Sequence, residues 1–380
     1  MSRPVSVLFY VQHLLGLGHV KRAATIARHL DRHGMDVTVV TGGIPVPGFD
    51  FGEARVVQLP PLRTADAAFS ALVDESGAAP SEIVLAARRA RLLATFRITA
   101  PDVVLTEHFP FGRRQLRDEI LALLDECRSR PHRPWIMASV RDVVVPPRHV
   151  DQCLGWIERY FDAVLVHGDP SIIPFEASFP EAARIADKIH YTGYVAEVAD
   201  PVSTDRHEII VSAGGGTEAA SLIDAALTAR ALCKASDAPW RILAGPNADI
   251  DALSNRARDG VTIERFRRDL PDLLARCRLS ISRAGYNTLL EAITAGARAV
   301  VVPFETERET EQALRAERFA EAGFCTLVRQ ADLTPARLAQ AIDAALALPP
   351  PDHAAVALDG VAATARLIAD WVVAPSALTA

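Results

Sequence analysis

Twice along this chain an apolar run of strand length breaks at a glycine-rich turn and gives way to a helix. Each time, alternating strands and helices follow. The first run is Val5–Val11, continuous in apolar residues as a parallel strand covered on both faces should be. Gln12–His19 follows, with Gly16 and Gly18, and then His19–Arg32 with Ala23, Ile26, Ala27 and Leu30 at helical spacing. Gly34 stands where a helix C-cap is expected, and Asp36–Thr41 is the next strand. Val103–Thr106, Trp135–Ser139 and Ala163–Val166 continue the βαβ rhythm of a doubly wound sheet. Asp66–Arg97 reads as mostly helical, with a loop around Gly77–Pro80.

The pattern restarts at Glu208–Ser212, which runs into Ala213-Gly214-Gly215-Gly216-Thr217 and a helix from about Glu218 to Lys234. Trp240–Ala244, Val261–Glu264, Leu279–Ser282 and Ala299–Pro303 are its later strands. Two βα sets of similar size predict an α/β protein with two Rossmann-like domains, 1–197 and 205–355, joined through AEVADPVSTD. A closing segment, 356–380, carries a helix at about Val361–Val373 with Leu367, Ile368 and Trp371.

A chain of 380 residues has room for two such domains. With 49% hydrophobic and 23% charged residues, a soluble globular protein is expected. The net charge of −6 argues against nucleic acid as the main partner, because a phosphate backbone needs a basic surface. Cys127, Cys153, Cys233, Cys277 and Cys325 are scattered and form no CxxC pair. Neither a disulfide framework nor a zinc site is expected, and a reducing cytoplasm is the natural location. No leader is expected before the first strand, and no apolar run is long enough to span a bilayer. Peripheral contact with the inner face of a membrane stays open. No cofactor or metal is expected.

The turns carry the candidate chemistry. Glycines at Gly16 and Gly18 let the backbone turn sharply and approach a ligand. GLGHVKR is not GxGxxG, and no suitably placed acid follows the second strand, which ends in Thr41-Gly42-Gly43; both argue against NAD. His19 begins the helix. It is either a base for an acceptor hydroxyl or an exposed capping residue, and His13 is its rival in the same loop. After the next strand, Glu107-His108-Phe109-Pro110-Phe111-Gly112-Arg113-Arg114 groups a carboxylate, an imidazole and two guanidiniums around aromatics expected to be exposed. An acceptor site or an ordinary turn fits it; Arg113 and Arg114 suit an anionic acceptor or a lipid phosphate. Arg141-Asp142 is similar, with an internal salt bridge as its plain explanation.

In the second half, Gly214, Gly215 and Gly216 leave N–H groups open to an anion, and Thr217 adds a hydroxyl. Without Gly-Lys-Ser/Thr this is not a P-loop. Ser282-Arg283-Ala284-Gly285-Tyr286-Asn287-Thr288 is a second phosphate candidate, although Asn287 or Thr288 equally suits a plain helix cap. Glu291, one turn into that helix, has the reach for a ribose edge. Glu311-Gln312 follow the strand ending Val302-Pro303-Phe304 and suit sugar hydroxyls. Phe266 is a candidate wall for a base or an ordinary core residue.

HLLGLGHVKRAATIARHL, VSAGGGTE and ISRAGYNTLLEAITAGARAVVVPFETERETEQALRAERFAEAG together resemble the MurG-like GT-B glycosyltransferases of family 28. The resemblance spans roughly Val5–Ala345 and is strongest over Ser282–Gln312. It implies two Rossmann-like domains facing across a cleft, donor nucleotide on the C-terminal one, acceptor on the N-terminal one, and a last helix returning to the first domain. By position it makes His19 the histidine of the first loop and Gly214–Gly216 the diphosphate loop. It makes Glu291 the ribose carboxylate and Glu311-Gln312 the polar pair on the donor sugar. The first loop departs from the family's GGTGGH, reading LLGLGH, and EHFPFGRR differs from the peptidoglycan enzyme.

Residues and resemblance together predict an inverting, metal-independent glycosyltransferase. It would use a nucleoside-diphosphate sugar, UDP by default, and an acceptor that is a small molecule or lipid-linked. His19 is the expected base and Glu107 the second choice. The rivals are an NDP-sugar epimerase or hydrolase, a non-catalytic nucleotide-sugar-binding partner subunit and, more distantly, a nicotinamide oxidoreductase.

Overall fold

The computed structural model describes residues 3–14, 16–46, 48–66, 71–197, 206–214, 219–245, 248–267, 269–306 and 309–373. Two compact units emerge, Met1–Val195 with Asp359–Ala380, and Ala196–Leu358.

The first unit is built on strands β1 (Ser6–Val11), β2 (Asp36–Thr41) and β3 (Arg55–Gln58), a small hairpin of β4 (Arg63–Thr64) and β5 (Leu72–Val73), then β6 (Val103–Glu107), β7 (Trp135–Arg141), β8 (Ala163–His167) and β9 (Ile189–Tyr191). Its main sheet has the order β3-β2-β1-β6-β7-β8-β9, with neighbours parallel. Helices α1 (Gly18–Arg32), α2 (Glu82–Thr99), α3 (Arg117–Ser129) and α4 (Val150–Tyr160) connect the strands. The period of two explains why β1 is apolar from Val7 to Val11. Leu8 and Tyr10 enter the core on one face of the sheet, and Val7, Phe9 and Val11 that on the other. Helix α1 lays Val20, Ala23, Ile26, Ala27 and Leu30 on the second face. It stops where Gly34 takes φ +77°, its N–H donating to the Asp31 carbonyl at 2.8 Å.

The stretch expected to be helical from Asp66 is corrected. Helix α2 starts only at Glu82, capped by Ser81, whose hydroxyl accepts from the Val84 N–H at 3.3 Å. Before it, Leu72–Val73 pairs antiparallel with Arg63–Thr64. Asp74 then closes a turn, its Oδ1 accepting from the N–H groups of Ser76 (2.9 Å) and Ala78 (3.1 Å). That local bond competes with helix formation.

The second unit repeats the plan with β10 (Glu208–Ser212), β11 (Trp240–Leu243), β12 (Val261–Glu264), β13 (Cys277–Ser282), β14 (Ala299–Val301) and β15 (Thr326–Leu327). The order is β12-β11-β10-β13-β14-β15, again parallel. Helices α5 (Ala219–Ala229), α6 (Ile250–Ser254), α7 (Leu270–Arg276), α8 (Tyr286–Thr294), α9 (Glu311–Glu321) and α10 (Pro335–Ala347) belong to it.

The last helix, α11 (Gly360–Val373), belongs to the first unit. Val361, Ala365 and Ile368 join the same core cluster as α1, and the Trp371 ring meets Trp135 edge-on at 4.8 Å. Gly360 is needed for this return, since a Cβ there would lie 2.4 Å from the Gly193 carbonyl oxygen.

Each sheet reverses its strand order once, between β1 and β6 and between β10 and β13. At such a reversal the loops leaving the carboxyl ends part, and a crevice opens between them. The glycine loops and the EHFPFGRR and SRAGYN segments leave from these four strands.

Candidate functional site

His19 is not an exposed cap. The N-cap of α1 is Leu17, which makes no side-chain capping bond, and the His19 side chain is only 11% exposed. Its Nδ1 lies 2.7 Å from Glu107 Oε1 at the end of β6. Its Nε2 accepts an N–H from the Arg141 guanidinium at 2.6 Å. An arginine can only donate, so Nε2 holds the lone pair and the ring proton sits on Nδ1, aimed at the carboxylate. Burial, followed by the charges of Arg141, Arg113, His108 and Arg22, holds the His19 pKa well below 6.5. A neutral imidazole with its proton fixed on Nδ1 and its basic nitrogen on the other side has the form of a general base.

Glu107 is fully buried. Besides His19, it accepts from the Arg22 guanidinium on Oε1 and from the Ser139 hydroxyl on Oε2 at 3.0 Å. Such an enclosed carboxylate orients His19, and the second-choice role of Glu107 as the base does not fit it. Arg22 lies one turn along α1 from His19.

The EHFPFGRR loop is corrected in two respects. Phe109 and Phe111, expected to be exposed, are core residues: Phe109 stacks on Trp156 at 5.3 Å and Phe111 meets Phe175 edge-on at 5.4 Å. Arg113 and Arg114 also part company. Arg113 takes the left-handed backbone region at φ +64°, turns inward and donates from Nε to the Gln12 carbonyl at 2.6 Å. Burial lowers its pKa to about 10. Arg114 points to α4 instead, donating to Gln152 Oε1 at 2.6 Å and lying over the Trp156 ring. Only Arg113 thus belongs to the His19 cluster. His108 also has positive φ, +69°, which is costly without glycine. Its ring folds over Gly112, where a Cβ would be 2.4 Å from His108 Cδ2, and lies 5.0 Å from the His19 ring. His13 lies over Gly43. A Cβ at Gly16 would meet nothing within 4 Å, so no internal contact requires that glycine.

In the second unit, Gly214 follows β10 at φ +77°, the region that favours glycine. Gly215, Gly216 and Thr217 lie outside the described residues. Gly285 is the N-cap of α8 and offers no side-chain cap. Asn287 and Thr288 therefore stand inside the first turn of α8 and are not its cap. Arg283 is buried and turned into the unit. It donates to the Val302 carbonyl at 3.2 Å, to Ser221 Oγ at 3.0 Å and to Gln330 Oε1. These bonds make it a brace between β13, β14 and α5, in place of the phosphate ligand expected. Glu291 is buried in the second turn of α8. The fully buried Arg315 donates to Glu311 Oε1 at 2.9 Å and to the Ala284 carbonyl at 3.1 Å, tying α9 to the turn before α8. Gln312 Oε1 accepts from the Phe304 N–H at 3.1 Å, so its NH₂ group is the end it can offer a ligand. Phe266, just after β12, is 68% exposed.

Sequence reasoning did not single out Arg22, Ser139, His167 or Thr192. Arg22 had one available signal, a charge on the apolar inward face of a helix, three residues from His19.

Residues 209–360 match the glycosyltransferase family 28 C-terminal domain. A curated relative from Rhodospirillum centenum is UDP-N-acetylglucosamine--N-acetylmuramyl-(pentapeptide) pyrophosphoryl-undecaprenol N-acetylglucosamine transferase. It is 36% identical over 132 residues, 32% of this chain and 35% of the relative. Its counterpart from Exiguobacterium sibiricum is 31% identical over 147 residues, 38% and 40% of the two chains. The chain thus spans well under half the length of these relatives. Among solved structures, MurG of Acinetobacter baumannii matches with a TM-score of 0.63 at 18% identity, over 97% of this chain and 100% of that one. The calicheamicin glycosyltransferase CalG4 matches with a TM-score of 0.61 at 19% identity, over 97% and 95%. Residues 209–360 therefore carry the glycosyltransferase family 28 C-terminal domain, in a chain with the GT-B fold of the MurG-like glycosyltransferases.

Proposed function

We propose that this protein is an inverting, metal-independent glycosyltransferase that moves a sugar from a nucleoside-diphosphate sugar to an acceptor hydroxyl or amine. The observation that carries this is the neutral His19 with its proton held on Nδ1 by Glu107. In the reaction, the acceptor oxygen or nitrogen attacks the anomeric carbon as its proton passes to His19 Nε2. The bond from the anomeric carbon to the diphosphate oxygen breaks, and its electron pair leaves with the nucleoside diphosphate. Arg141 occupies Nε2 in the resting arrangement and has to swing off it first. The second unit holds the donor. The first turn of α8 and Gly214 after β10 are the backbone donors assigned to the diphosphate, in the role a cation plays elsewhere. Glu291 takes the ribose edge, Phe266 the base, and Glu311 and Gln312 the sugar.

The curated relatives carry UDP-N-acetylglucosamine in their names, which makes a UDP-sugar the first donor to try. Their other named substrate is a pyrophosphoryl-undecaprenol, which makes lipid-linked acceptors a class to test beside small ones. Among the described residues no helix is long and apolar enough to cross a membrane. We place the protein in the cytoplasm, with peripheral contact at the inner membrane face if the acceptor is lipid-linked.

Calorimetric titration with UDP, dTDP, GDP, CDP and NAD tests the donor half. One nucleoside diphosphate is expected to bind with the same affinity with and without EDTA. Binding of NAD alone, or loss of nucleotide binding in EDTA, would overturn it. Donor consumed at full rate without any acceptor would favour a hydrolase or epimerase instead.

The pH profile tests the base. Because the His19 pKa is lowered, its neutral, active form persists through neutral pH and is lost only as pH falls through that lowered value. The acid limb of kcat/KM is therefore expected below pH ~6.5, the ordinary histidine value. An acid limb above pH 7 would contradict a neutral, buried His19.

A further inference from the structure

Behind His19 and its partner Glu107 runs a line of buried groups that the reaction above does not use. Glu107 ends β6, Ser139 lies beside it in β7, and His167 ends β8; the register pairs Glu107 with Ser139 and Arg141 with His167. Ser139 Oγ is 3.0 Å from Glu107 Oε2 and 2.9 Å from His167 Nε2, and His167 Nδ1 is 2.8 Å from Thr192 Oγ1. All four side chains are buried, Thr192 the most exposed of them at 3%.

The proton positions along this line follow from what each group can do. A carboxylate only accepts, so the single hydroxyl proton of Ser139 goes to Glu107. Ser139 Oγ must then accept from His167 Nε2–H. Burial holds the His167 pKa well below 6.5, so its ring is neutral and has one proton to give. Its Nδ1 is then bare and takes the Thr192 hydroxyl proton. The reverse order would direct the Thr192 hydroxyl to the Gly193 carbonyl, 3.2 Å away. It would also place Ser139's proton on His167 and leave Glu107 Oε2 facing a lone pair. Only the first order satisfies every member.

We infer that Ser139 and His167 are positioning residues for His19: through Glu107 they fix which imidazole nitrogen carries the proton and which is the base. This rests on His19 being the base of the proposed transfer. The charged and titratable groups that face His19 are Glu107 from β6, Arg22 from α1, Arg141 from the end of β7, and His108 and Arg113 from the loop after β6. Arg22 is the charge that acts on His167.

Ser139→Ala removes one donor from the carboxylate and little volume. The negative charge of Glu107 is then offered more fully to His19, so the His19 pKa should rise by about one unit. Turnover should fall about 10- to 100-fold, the size of loss seen when the orienting partner behind a metal-ligating histidine is removed. The donor KM should stay as in the parent protein. Ser139→Thr keeps the hydroxyl and should restore both quantities, while His167→Gln, which can still donate to Ser139, should fall between. ¹⁵N-histidine NMR reads the His19 tautomer and titration without any substrate. An unmoved His19 titration in Ser139→Ala overturns the inference, even if turnover falls, because a structural defect alone would look like that. If the parent protein consumes no nucleoside-diphosphate sugar, the glycosyltransferase proposal fails instead, and the NMR arm still decides the role of Ser139. Equal melting temperatures for Ser139→Ala and the parent exclude misfolding as the cause.

Discussion

His19→Ala is expected to lower turnover by about 10²- to 10⁴-fold, the range that a positioned general base contributes, while nucleotide affinity stays within a factor of two or so. The split follows from where the side chain sits. His19 belongs to the first unit and is bonded to Glu107 and Arg141. The groups proposed to hold the nucleotide all belong to the second unit. A loss confined to kcat means an interaction used in the transition state has gone; a loss confined to KM means uniform binding has gone. His19→Gln is the sharper companion, since it can keep a hydrogen bond to Glu107 without basicity. Both variants slow, with calorimetric nucleotide binding intact, is the expected result. Near-normal turnover in either would remove His19 from the base role, and no enclosed carboxylate nearby could replace it.

Arg141 bears on the same experiment. Its guanidinium holds the nitrogen that accepts the proton in the proposed reaction, so it both depresses the His19 pKa and would have to move for that reaction. His19, the proposed base, therefore rests neutral and covered. Neither property can be deduced from the residue type alone, because each depends on one helix and two strands delivering side chains to one point.

That dependence decides what the sequence made legible. β1 was readable as an apolar run that buries on both faces, and α1 because its apolar residues repeat at helical spacing and pack on one of those faces. The edge strands β3 (RVVQ), β9 (IHY) and β15 (TL) are two to four residues long with mixed polarity, too short to show any period. His19 and Glu107 stood out because each sits where a strand or helix meets a loop. Ser139 and His167 did not, because they lie within or at the end of apolar strands and become neighbours only through sheet register. Phe109 and Phe111 misled for the opposite reason. They follow a strand and look like loop residues, yet they fill the core against Trp156 and Phe175.

Arg88→Ala is expected to destabilise the first unit by about 3–5 kcal/mol, the cost of leaving a buried charge without its partner. Arg88 and Glu119 are almost fully buried, and the guanidinium grips the carboxylate with two bonds, Nε to Oε2 at 2.9 Å and a terminal nitrogen to Oε1 at 2.7 Å. It also donates to Gln12 Oε1 at 2.9 Å and to the carbonyls of Gly42 and Pro60. Tyr10 donates to Glu119 at 2.6 Å. One side chain of α2 thus ties α3 to the loops that follow β1 and β2, and the first of these leads into His19. Against a total stability of about 5–15 kcal/mol for a domain, such a loss is large. Arg97 and Glu126 make a bond of similar length, 2.7 Å, but with Arg97 exposed. Arg97→Ala should therefore leave the urea midpoint close to that of the parent protein. The check is the urea midpoint followed by hydrogen exchange of the β1 amides, which isolates the first unit from the second. The paired replacement Arg88→Met with Glu119→Leu should recover most of the loss, because it removes both charges together. Equal, small effects of Arg88→Ala and Arg97→Ala would mean that water reaches Glu119, and that the loop before His19 is held by something other than this ion pair.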